Sequence, residues 1–127
     1  MTTNVEITET PEKARDGTVI VHVSVSGALT AERYAFLEDG LRKLIAKHGS
    51  IRVLLVLEEL EGMTTNAMRE DKRFEKKHIA EIDRVAVACA TREDKSVPPS
   101  AIPFTDVNTR FFPLGEMEQA VEWLKQK

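Results

Sequence analysis

Two short apolar runs with a charged helical pattern between them constrain this chain most. Ile51-Arg-Val-Leu-Leu-Val-Leu57 is apolar at both alternating positions except Arg52, and Arg84-Val-Ala-Val-Ala-Cys-Ala90 repeats the pattern. Runs of this length that are apolar on both faces mark strands covered on both sides. The alanines of the second run predict close approach of a helix on one face. Between the runs, Thr64 to Ile79 reads as a helix with a thin apolar side of Ala67, Met68, Phe74 and His78. Strand, helix and strand in that order form a βαβ unit with a right-handed crossover and a parallel pairing. The class is therefore α/β.

The flanking segments extend the same alternation. Asp16-Gly17 makes a turn before Thr18 to Val25, where Val19, Val21, Val23 and Val25 share one face and Ile20, His22 and Ser24 the other. Thr30 is a good N-cap for a helix whose Tyr34, Leu37, Leu41, Leu44, Ile45 and His48 recur at helical spacing, with Gly49 as its stop. Residues 1–16 are polar apart from Val5 and Ile7, which predicts a short edge strand or a loose arm. Pro98, Pro99 and Pro103 forbid a long regular helix in residues 91–104. Val107 to Phe112 alternates as a last strand, and Gly115 to Lys125 closes as a helix with Met117, Ala120, Val121 and Leu124 inward. At 127 residues the whole chain, 1–127, reads as one domain.

Composition removes several function classes. Hydrophobic residues at 42% and charged residues at 31% describe a chain with a real core, not a disordered one. The balance of 18 basic and 21 acidic residues argues against a nucleic-acid partner, which calls for a basic stripe and a high pI. Cys89 is the single cysteine, so no internal disulfide forms, and a reducing, cytoplasmic compartment is expected. The start lacks the pattern of a signal peptide, and the longest apolar run, Val85 to Ala90, falls far short of the roughly 20 residues of a membrane span.

The order of several modest motifs carries a resemblance. His48-Gly-Ser-Ile-Arg-Val-Leu-Leu-Val-Leu-Glu-Glu-Leu-Glu-Gly62, a charged helix, Ile82-Asp-Arg-Val-Ala-Val, Pro103-Phe-Thr, Arg110-Phe-Phe and Glu118-Gln-Ala-Val-Glu-Trp-Leu124 follow one another. Together they resemble the SpoIIAA-like family, which belongs with STAS domains. The resemblance runs from about residue 18 over most of the chain. It implies a mostly parallel sheet of four or five strands, an antiparallel N-terminal strand and about four helices. It also implies a non-enzymatic protein with open and closed forms that binds lipid or small hydrophobic molecules near membranes, by likeness to CRAL-TRIO domains. Where the family usually has aromatics, just after Gly62 and in the following helix, this chain has Met63 and Met68.

No catalytic centre emerges from the residues. His22, His48 and His78 are scattered without metal-ligand spacing, and Cys89 lies in an apolar strand as an inert small hydrophobe. Glu58, Glu59 and Glu61 form an acidic group without further ligand spacing, read as a solvated loop end. In an open α/β sheet ligands gather beyond the C-terminal strand ends, here the segment Glu59 to Thr65. Thr64, Thr65 and Asn66 suit N-capping. In anti-sigma antagonists of the STAS type a phosphorylated Ser or Thr follows the corresponding strand, although their Asp-Ser-Ser-Gly-like sequence is absent here. Trp123 flanks the stripe of the last helix, at the core edge or in a homodimer interface.

The thin apolar side of the second helix singles it out. Leu57, Leu60, Met63, Ala67, Met68 and Phe74 line an apolar pocket if that helix lifts from the sheet, and otherwise pack as core. The expected function is a non-catalytic binding module, without cofactor or metal, for a small hydrophobic or lipid-like ligand, with a membrane surface as a further expected contact. The alternative is a protein-interaction regulator of the anti-sigma-factor-antagonist type, switched at Thr64 or Thr65.

Overall fold

The computed structural model describes residues 4–78, 80–89 and 108–126. Strands β1 (Asn4–Lys13), β2 (Val19–Leu29), β3 (Ile51–Met63), β4 (Ile82–Cys89) and β5 (Thr109–Pro113) form one sheet in sequence order. β1 runs antiparallel to β2, and β2 to β5 are parallel. Residues 1–16, expected as an edge strand or an arm, therefore supply an edge strand, with Val5 and Ile7 opposite Val25 and Val23. The proline-rich crossover at 91–104 lies outside the described residues.

Helices α1 (Ala31–His48) and α2 (Thr65–His78) cover one face of the sheet, here the front, and α3 (Met117–Lys125) covers the back. Among the described residues, three α-helices and a 3-10 turn at Leu114–Glu116 stand where about four helices were expected. The last helix begins later than Gly115 because the chain leaves β5 through Pro113 and tightens into that turn first. Thr30 caps α1 by accepting from the Arg33 N–H at 3.3 Å, and the Gly49 N–H donates to Ile45 O at 2.7 Å.

Strand alternation sorts the core. Val19, Val21, Val23 and Val25 join Ile51, Val53, Leu55, Leu57, Val85 and Val87 on the front, against Tyr34, Leu37, Leu41 and Ile45 of α1. Ile20, Leu54, Val56, Ala86 and Ala88 face back, against Ala120 and Leu124. The alanines of β4 are thus the floor on which α3 sits, as their size predicts. Gly40, in the middle of α1, allows the helix to approach β1: a Cβ there would lie 2.5 Å from Ile7 Cδ1.

One strand boundary differs from the sequence reading. The segment Glu58 to Glu61, expected as a loop end, continues β3, which pairs with β2 as far as Leu29 opposite Met63. Gly27, at φ +79°, lets β2 shift register on either side of itself and remain paired.

Arg52, the lone charge of its run, is buried and acts as a structural hub. It donates to Asp83 Oδ2 at 2.7 Å, Asp16 Oδ2 at 3.2 Å, Leu124 O at 2.6 Å and Gln126 O at 2.5 Å. Arg84 donates to Trp123 O at 2.8 Å and Gln126 O at 2.7 Å. Two guanidinium groups thus satisfy carbonyls at the C-terminus of α3, where the helix dipole favours cations. Thr18, through its hydroxyl and N–H, holds the Asp16 carboxyl below the usual carboxylate range.

Candidate functional site

Helix α2 is the element whose chemistry sets it apart. Its start is fixed twice: Thr64 N–H donates to Leu29 O at 3.0 Å, and Thr64 Oγ1 accepts from the Ala67 N–H at 3.2 Å. Thr64 therefore caps the helix, and both it and Thr65 are exposed. Lys76, Lys77 and His78 in the last turn suit the negative end of the dipole.

The inner face of α2 is half acidic. Its buried residues are Ala67, Asp71, Phe74 and Glu75, with Glu75 only 1% exposed. Tyr34, fully buried on α1, donates its hydroxyl to Asp71 Oδ1 at 2.7 Å. Burial, and then the negative charge of Asp71, raises the Tyr34 hydroxyl well above the ordinary tyrosine range, so it remains a donor at any physiological pH. The Phe74 ring meets Tyr34 edge-on at 6.4 Å and lies 4.8 Å from the His78 ring. His78 Nδ1 is 3.7 Å from Glu81 Oε2, a contact that becomes an ion pair when the imidazole is protonated.

The residues expected to line a pocket come together here. Leu57, Met63, Ala67 and Phe74 belong to one buried cluster on the front of the sheet, with Met68 half-buried against it. They pack as core with α2 closed over them. The Leu60 side chain lies outside what the structure describes. Sequence reasoning placed Tyr34 on the inner stripe of α1 but missed its bond to Asp71, and it missed Asp71 and Glu75 themselves. The helical phase was available, since Asp71 and Glu75 follow Ala67 by one and two turns, but acids at such positions are ordinarily assigned to solvent.

A second feature lies on the back of the sheet. α3 packs mainly on β4, β3 and β5 and reaches Ile20 at the start of β2. Glu6, Thr8, His22, Ser24, Val56 and Met117 line a shallow depression of about 160 Å³. Among the described residues no group of three or more His, Cys, Asp or Glu side chains converges as a metal site would require. Trp123 packs on Phe112 at 6.1 Å under the Arg84 guanidinium, at the edge of the back cluster. Among the described residues no helix is long and apolar enough to cross a membrane.

A mixed five-stranded sheet with an antiparallel first strand and both faces carrying helices defines a STAS-like domain, a class that serves binding or regulation. The family model described as SpoIIAA-like matches residues 20–125, and the chain belongs to that family. A crystal structure of an uncharacterized protein of the DUF3478 family with a SpoIIAA-like fold, from Shewanella loihica PV-4, is similar over 98% of each chain, with a TM-score of 0.70 and 27% identity. Among curated proteins, none matches. Domains of this family are generally non-enzymatic.

Proposed function

We propose that the chain is a non-catalytic binding domain that takes a small apolar or lipid-like molecule between the sheet and α2, with α2 as its lid. The observation that carries this reading is the acidic inner face of the helix. Lifting α2 exposes Phe74 and Ala67, of which the phenylalanine contributes about 2–3 kcal/mol of burial. Against that loss, Asp71 and Glu75 regain water, and a carboxylate taken into a protein interior carries a penalty of several kcal/mol before its contacts offset it. The Tyr34 hydrogen bond to Asp71 works against that penalty in the closed form, while Leu57 and Met63 beneath the lid offer an apolar floor. Hydrogen exchange checks the mobility: residues 65–78 should exchange faster than residues 31–48, and oleate should slow them and add its mass in native mass spectrometry. Equal protection of the two helices, with no oleate adduct, would sink the reading.

The protein-interaction reading draws on the exposure of Thr64 and Thr65 at the start of the same helix. A phosphate on Thr65 would stand one turn before Arg69, where a dianion pairs with a guanidinium. If a partner is found, Thr65→Glu should change its affinity and Thr65→Ala should not.

A further inference from the structure

The charges of α2 are segregated, and the two acids turned inward leave a basic outer face. Arg69, Lys72, Arg73, Lys76 and Lys77 are all exposed. At 100° per residue they fall within a sector of about 140°, centred opposite the buried Ala67, Asp71, Phe74 and Glu75, and they span about 12 Å of helix. Glu70, half-buried at the edge of the sector, pairs with Arg73 at 3.4 Å. With those five cations set aside, the rest of the chain carries 13 basic against 21 acidic residues. A molecule of net charge −3 therefore presents a compact cationic stripe on one helix.

We propose that this stripe docks an acidic segment of a partner protein, one whose carboxylates are spaced along about two helical turns. Arg69 can take a carboxylate bidentately, Arg73 can exchange its exposed contact with Glu70 for another, and the lysines supply point charges between them. Other anionic partners fit less well. A helix lying in a lipid interface turns its apolar face into the acyl chains, whereas the apolar side chains of α2 face the core. The acidic remainder of the molecule also repels an extended anionic bilayer or a long nucleic acid, but a short segment meets the stripe alone. The inference stands whether or not α2 opens, because it uses only the outer face.

Fluorescence anisotropy with a short fluorescein-labelled Glu/Asp peptide tests it, using the intact chain and two charge-reversed variants. Arg69→Glu with Lys76→Glu alters the stripe, and Arg42→Glu with Lys43→Glu alters α1 as a control, with circular dichroism confirming that both fold. Saturable binding is expected, about tenfold weaker in the α2 variant, within about twofold of the original in the α1 variant, and weakened on going from about 50 to about 300 mM salt. Absence of saturable peptide binding overturns the proposal, as does equal weakening by both variants. Tighter capture by phosphatidylcholine–phosphatidylserine vesicles at about 7:3, or by a single-stranded oligothymidylate, also overturns it and reassigns the stripe to a bilayer or a nucleic acid.

Discussion

Arg52 is where a single residue carries most consequence. It was legible as an anomaly, the one charge in an apolar strand, but its partners were not, since they lie 31, 36 and 72 residues away in the chain. A buried guanidinium needs several acceptors at once, and only folding brings the Asp16 turn, Asp83 and the end of α3 to one point. Replacing Arg52 with methionine is expected to cost about 2–4 kcal/mol, short of the full penalty for a broken buried pair, because Asp16 and Asp83 are half-exposed and regain water. Urea denaturation checks it, and a loss under about 0.5 kcal/mol would show the hub to be dispensable.

Among the elements, α2 separates what periodicity conveys from what packing decides. Its apolar residues Ala67 and Phe74 are buried, with Met68 half-buried, as their spacing predicted. That Asp71 would lie on the inner face beside Glu75 depended on Tyr34, a residue on another helix with a hydroxyl to donate to Asp71. Tyr34→Phe alone leaves Asp71 without that donor and should destabilise the protein by about 1–3 kcal/mol. Combining it with Asp71→Leu replaces a polar contact by an apolar one and is expected to be neutral or stabilising by about 1–3 kcal/mol, while slowing hydrogen exchange in residues 65–78. Thermal denaturation and exchange are the readouts. A double variant less stable than Tyr34→Phe alone would mean that the acidic face does not weaken the hold on α2.

At the scale of the molecule, the sheet is unequally covered. Among the described residues, two helices lie on the front and α3 alone on the back, over Ile20, Leu54, Val56, Ala86, Ala88 and Phe112. A chain ending at Pro113 should therefore expose that apolar face, bind 1-anilinonaphthalene-8-sulfonate and associate in light scattering, whereas an unchanged monomer without dye binding would show the face to be covered otherwise. The α/β class, the parallel central strands, the caps of α1 and the small-residue floor for α3 were all readable along the chain. They follow from periods of two and 3.6 residues and from local capping, which each segment carries in its own residues. The continuation of β3 through the acidic segment, the partners of Arg52, the inward acids of α2 and its outward cationic stripe were decided by tertiary structure. Each depends on which distant groups meet once the sheet closes and on how much water they lose there, and neither quantity is a property of a local run of residues.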